Sequence, residues 1–205
     1  MDKSVIIVGA GERICRKKLI KSFTRIISAD GGFSHLKFVR NPMLIVGDFD
    51  SLSVKRVPKD IPILKYSKTK DETDIELAIE YSIKKKFSPI YITGVTGTRD
   101  DHFYTALSLL EKYKDNEIHI LTENYDIFIL REMRSYDFDF MEGSHISFFS
   151  VSPKTKNIES RGFEYEYTNT DLYRSKPIGV SNRITGKKAN IKFEKGLIIC
   201  FLKIC

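Results

Sequence analysis

Four short segments of this chain gather aspartate with glycine, hydroxyl and basic residues, a mixture suited to metal-assisted phosphate chemistry. They are Ala29-Asp30-Gly31-Gly32, Gly47-Asp48-Phe49-Asp50-Ser51, Lys70-Asp71-Glu72-Thr73-Asp74 and Gly94-Val95-Thr96-Gly97-Thr98-Arg99-Asp100-Asp101-His102. One aspartate in a turn or at a helix start is commonly a structural device. Several brought together repel one another and call for a compensating cation. Oxygen-only donors favour Mg²⁺, which keeps several waters and takes one or two carboxylates plus substrate phosphates. Asp48 and Asp50 stand two apart, so an extended segment points both the same way. Gly31, Gly32, Gly94 and Gly97 remove side chains where a backbone approaches a phosphate or turns sharply. Arg99 can fork onto phosphate oxygens.

Other phosphate designs are missing. The Gly9-Ala10-Gly11 turn lacks the third glycine of a dinucleotide fingerprint, and no Walker A loop occurs anywhere. The 34 basic against 27 acidic residues, net +7, would suit nucleic acid or a phosphate-bearing ligand. The bases are spread, however, in runs such as Arg13 to Lys18 and Lys84 to Lys86 that read as solvated helix faces. No zinc-finger spacing or RNP-like aromatic run accompanies them. A basic nucleic-acid-binding module is the rival from another class, but the acidic loops would repel a phosphate backbone, so no nucleic-acid partner is expected. No apolar run approaches the roughly 20 residues of a membrane span, so no membrane partner is expected. Cys15, Cys200 and Cys205 have no metal-type spacing and read as reduced thiols of a cytoplasmic protein.

The acidic segments need a scaffold. Val5 to Val8, Arg25 to Ala29, Met43 to Val46 and Ile90 to Thr93 are short, apolar and β-branched, as strands covered on both faces should be. Ile61 to Tyr66 carries a proline and reads as nearer an edge. Thr73-x-x-Glu76 forms a capping box ahead of a stripe of Ile75, Ala78, Ile79, Ser82 and Ile83. A second helix carries Phe103, Ala106, Leu107 and Leu110 on one face. Strand alternating with helix predicts a Rossmann-like α/β domain, a mostly parallel sheet with helices on both faces. Ligands of such sheets bind beyond the carboxyl ends of the strands, which is where the acidic segments fall. Beyond them the chain reads as strands punctuated by glycine, an all-β sandwich. The expected domains are 1–130 and 131–205.

Taken in order and spacing, these segments resemble the thiamine pyrophosphokinases, as do the looser Gly162-Phe163-Glu164-Tyr165, Gly179-Val180-Ser181-Asn182 and Gly196-Leu197-Ile198-Ile199. The resemblance implies transfer of the diphosphate of ATP to the primary alcohol of thiamine, an ATP- and Mg²⁺-binding α/β domain, and a thiamine-binding sandwich. It also implies a homodimer with active sites at the interface. By resemblance Asp48, Asp50, Asp74 and Asp101 belong to the metal and diphosphate site. Asp30, Lys70, Thr73 and Arg99 contact the nucleotide, with His102 beside them, and Ser181 and Asn182 contact thiamine. Asp50, Asp71 and Asp101 are each candidates to take the alcohol's proton. His102, at a helix start, reads more readily as a hydrogen-bonding residue than as a base. Two departures bear on substrate contacts. Tyr104-Thr105-Ala106 stands where relatives often have Leu-Ala-Asn, and the chain has no tryptophan, leaving Tyr165, Tyr167 and Tyr173 as stacking candidates. A pyrophosphokinase for another alcohol, such as a pterin, is the nearest rival.

Overall fold

The computed structural model describes residues 3–49, 57–67, 69, 71–97 and 99–204, so Asp50 and Lys70 of the expected site lie outside the described residues. The chain divides into two compact units, Met1–Glu123 and Asn124–Cys205. The first runs β1 (Val5–Val8), α1 (Lys17–Ser22), β2 (Ile26–Ala29), α2 (Phe33–Leu36), β3 (Leu44–Gly47), β4 (Ile63–Lys65), α3 (Asp74–Lys84), β5 (Ile90–Thr93), α4 (Asp100–Lys112) and β6 (Ile118–Leu121). Its strands lie in the order β6-β5-β1-β2-β3-β4, every neighbouring pair parallel.

Residue types explain the layers. Every residue of β1, β2 and β3 is buried, as expected of strands covered on both faces. Ile6, Val8 and Ile26 pack with Ile20 of α1 and Leu36 of α2. Alternation then turns Ile7 and Ile27 to the opposite face, where α3 lies across β1, β2 and β3. Burying each such isoleucine contributes about 2 kcal/mol. β4, the edge strand its proline foretold, buries little. β6 was not anticipated: His119 interrupts its apolar run, yet the ring packs 5.2 Å from that of Tyr91.

Thr73 caps α3 as expected, its hydroxyl accepting the Glu76 N–H at 3.2 Å. The carboxylate of Glu76, nearly buried, accepts from Lys112 and from the Tyr113 hydroxyl, tying α3 to the end of α4. A buried carboxylate needs such partners.

The second unit is β7 (Tyr125–Arg131), β8 (Ser135–Asp137), β9 (His145–Ser150), β10 (Lys154–Arg161), β11 (Thr170–Tyr173), β12 (Asn182–Arg183), β13 (Asn190–Lys192) and β14 (Leu197–Lys203). β12-β9-β14-β7 and β11-β10-β13-β8 are antiparallel sheets. Alternate residues such as Ile146, Phe148, Ile198, Cys200 and Leu202 meet Ile158, Leu172 and Ile191 in one core. The expected limit at 130/131 falls at the end of β7 rather than before it. β7 pairs with β14 along its whole length, Tyr125 with Lys203 through Arg131 with Leu197, so it belongs entirely to the second unit. No helix among the described residues is long and apolar enough to cross a membrane.

Candidate functional site

The strand order reverses between β1 and β5. From β1 the chain steps outward through β2, β3 and β4, then returns to β5 on β1's other side. Loops leaving the carboxyl ends at such a point diverge and open a crevice. A cavity of about 230 Å³ occurs there, lined by Ala10, Gly11 and Glu12 after β1 and by Gly94, Val95, Thr96 and Arg99 after β5. Thr73 and Ile75 of the α3 start and His102, Thr105, Ala106 and Leu109 of α4 complete it. The lining thus mixes apolar side chains with a few polar groups, the usual composition of a small-molecule site.

Backbone hydrogen bonds hold the two loops together. The N–H groups of Gly9, Gly11 and Arg13 donate to the carbonyls of Thr93, Gly94 and Thr96 at 2.8, 2.7 and 3.0 Å. Gly94 has φ +71, and a Cβ there would stand 2.3 Å from the Gly9 carbonyl oxygen. Its glycine therefore serves the sharp turn that the sequence allowed for, and with it the approach of one loop to the other.

Beside the cleft is an acidic group. Carboxylate oxygens of Asp30, Asp48 and Asp74 all lie within 4.8 Å of one another. Asp30 follows β2 in the left-handed region, φ 38, and is 5% exposed. Gly47 makes room for it, because a Cβ at 47 would meet the Asp30 Cβ at 2.9 Å. Gly32 is required for another reason: a Cβ there would stand 2.0 Å from the Val8 carbonyl oxygen of β1. Asp48 follows β3, and Phe49 after it, φ 64, packs against Ile45, Val57 and Ile61. Asp74 opens α3, where the helix dipole favours a carboxylate. Three carboxylates without nitrogen or sulfur donors fit a hard divalent cation.

The structure regroups the expected site residues. Asp48 and Asp74 come together as anticipated, and Asp30, read as a nucleotide contact, joins them. Asp101 does not. Its two oxygens receive Arg99 Nε and Nη2 at 2.9 and 2.7 Å, an exposed fork that holds its carboxyl well below the usual carboxylate range and raises the guanidinium. Arg99 stands two residues before Asp101 at the α4 start, so the pair closes locally. Asp71 is exposed and outside the trio. Thr73, Arg99 and His102 do meet at the cleft, together with Thr96, Thr105 and Glu12, the last of which had not been singled out. The Gly9-Ala10-Gly11 turn was the available signal for Glu12.

In the second unit Ser181 is exposed with φ 58, its N–H donating to Ser147 Oγ at 3.1 Å. Asn182 differs from its expected role as a ligand contact, being 2% exposed. Its Oδ1 accepts the Tyr165 and Arg183 N–H groups at 3.0 and 2.8 Å, and its Nδ2 donates to the Tyr165 carbonyl at 2.8 Å. The side chain thereby fixes the backbone of Tyr165, whose own side chain is exposed. Tyr167 packs against the core, whereas Tyr173 is exposed with Lys154 Nζ 5.1 Å from its ring centre. Asn182→Ala should lower stability by about 2–4 kcal/mol, since buried backbone groups lose their partners. Urea unfolding measures it; unchanged stability would restore a ligand-contact role.

An acidic trio at the carboxyl edge of a parallel sheet, beside a cleft at the switch point, defines an α/β protein equipped for a hard cation and a nucleotide-like ligand. Residues 16–122 match the thiamin pyrophosphokinase catalytic domain and residues 124–198 the thiamin pyrophosphokinase vitamin B1 binding domain. The chain belongs to the thiamin pyrophosphokinase family. It is 30% identical over 164 residues to the thiamine pyrophosphokinase of Bacillus subtilis, covering 77% of each protein. It is 24% identical over 172 residues to thiamine pyrophosphokinase 1 of Arabidopsis thaliana, covering 77% of this chain and 64% of that one. The solved thiamin pyrophosphokinase of Geobacillus thermodenitrificans superposes with a TM-score of 0.88 at 23% identity, over 98% of both chains. The yeast enzyme does so at 0.82 and 17%, over 100% of this chain and 87% of that one. At these identities the superpositions speak for the fold.

Proposed function

We propose that this chain transfers the β,γ-diphosphate of ATP to the hydroxyethyl oxygen of thiamine, giving thiamine diphosphate and AMP. The observation that carries the reading is the convergence of Asp30, Asp48 and Asp74 beside a cleft edged by Arg99. The first unit takes the nucleotide and the second takes thiamine. Asp30, Asp48 and Asp74 would hold Mg²⁺. Phe49 at φ 64 breaks the extended backbone on which the spacing of Asp50 from Asp48 relied, so Asp50 joins this set by family resemblance alone. When bound, the ion neutralises charge on the ATP phosphates.

The reaction needs alignment and charge neutralisation more than covalent catalysis. The alcohol oxygen bonds to the β-phosphorus as the bond to the α,β-bridging oxygen breaks, and AMP leaves with that oxygen. Arg99 offers its guanidinium to the charge that develops there. The fork from Arg99 makes Asp101 a poor proton acceptor, because a depressed pKa lowers proton affinity. Thr73 and His102 offer further hydrogen-bonding groups in the cavity lining.

Incubation with ATP, Mg²⁺ and thiamine should yield AMP and thiamine diphosphate in equal amounts, and EDTA should stop it. ADP with thiamine monophosphate would place the cleavage one bond away and overturn the reading. The reading includes a cytoplasmic location and a homodimer, so light scattering should give twice the 23.7 kDa of one chain.

A further inference from the structure

The mechanism leaves His35 unused. It lies on α2, which begins directly after the Asp30–Gly32 turn, and its Nε2 stands 2.8 Å from the carbonyl oxygen of Gly11. A carbonyl only accepts, so Nε2 carries the proton. The helix is a firm base for this bond. Leu36 is buried in the core beside Ile6 and Val8, and Ser34 Oγ donates to the Gly31 carbonyl at 2.8 Å.

The bond determines how one peptide plane stands. The Gly11 N–H is already held by Gly94 and its carbonyl by His35. In a planar trans peptide the next N–H points opposite to the carbonyl, so the Glu12 N–H is turned away from His35. Gly11 and Glu12 line the cavity, and His35 does not. Among the described residues no acceptor is bonded to the Glu12 N–H. A fixed backbone donor in a cleft wall is a recurring element of small-molecule recognition.

We infer that His35 is a positioning residue which, through the Gly11 carbonyl, presents the Glu12 backbone N–H to an acceptor atom of the bound nucleotide. The inference rests on the reading of this cleft as the nucleotide site. It also links the turn carrying Asp30 to the cleft wall through a single hydrogen bond.

His35→Ala removes the donor, whereas His35→Gln keeps an N–H at comparable reach. Binding of α,β-methylene ATP with Mg²⁺, followed by calorimetry, should weaken about tenfold in the alanine variant and recover to within about threefold of wild type in the glutamine variant. The KM for ATP should move in parallel, with kcat and the KM for thiamine nearly unchanged. In the free protein, amide exchange of a peptide spanning residues 9–15 should quicken in His35→Ala and return in His35→Gln. His35→Asn, whose donor ends short of Gly11, should behave as alanine does and replaces it if that variant folds poorly. Wild-type protein that binds no nucleotide would overturn the cleft reading itself. Wild-type binding matched by the alanine variant, or glutamine no better than alanine, would overturn the role of His35 alone.

Discussion

Asp48→Asn or Asp74→Asn should cut turnover to about a thousandth of the wild-type rate or less while the chain stays folded. Asparagine keeps the shape and an oxygen donor but removes the charge that a divalent cation needs. The fold should tolerate the change because the trio is mutually repulsive. Carboxylate oxygens within 4.8 Å of one another repel when no cation lies among them. Neutralising one therefore leaves the metal-free protein as stable as before, or more so. Thermal melts with and without Mg-ATP separate the two effects. The variants should match or exceed wild type without ligand and lose most of the ligand-induced rise in Tm. A variant that kept both full turnover and that rise would remove the trio from the cation site.

Gly32→Ala should be the most damaging small substitution in the first unit. The added Cβ would lie 2.0 Å from the carbonyl oxygen of Val8 and 2.7 Å from its carbon. Neither atom can yield easily, because β1 is paired to β2 on one side and to β5 on the other. Relief requires moving the Asp30 turn or parting the centre of the sheet. A loss of about 3–5 kcal/mol is expected, roughly 10 °C or more in Tm for a chain of this size. Gly143→Ala is the contrast. There the nearest atom is the tip of the Arg183 side chain at 4.0 Å, so only the strain of φ +87 remains, about 1 kcal/mol. Equal melting temperatures for the two variants would show that the β1 contact is not the constraint on residue 32.

What the sequence revealed depended on how local the cause was. The Thr73 cap and the buried strands β1, β2, β3 and β5 were legible because capping and apolar runs act within a few residues. β6 was obscured by His119, whose stacking partner Tyr91 belongs to another strand. Among the acidic residues, the family resemblance joined Asp101 to the metal set, but Arg99 two residues away claims both its oxygens. Asp30 enters instead, because parallel pairing sets the end of β2 beside the end of β3. Gly94 makes the sharp turn that its glycine allowed, whereas Gly32 carried the right signal with a different cause, since the close approach there is of one protein backbone to another. Asn182 gave no sign that its amide would meet the backbone of Tyr165, an encounter that only the turns of the second unit create.

The reversal of strand order at β1 also bears on how the chain is made. As the polypeptide leaves the ribosome, one side of β1 can pair with β2 as soon as Ala29 has emerged. Its other side must wait until residues 30–89 have followed and β5 appears. Throughout that interval Val5 to Val8 present an unpaired, wholly apolar edge, the kind of surface that chaperones bind and that seeds aggregation. The wall of the cleft is complete only when Gly94 and Thr96 meet Gly11 and Arg13, so a growing chain stalled before residue 90 holds half of it. Pauses in synthesis between residues 30 and 90 should therefore lower the soluble yield more than pauses after residue 123, where the first unit has already closed.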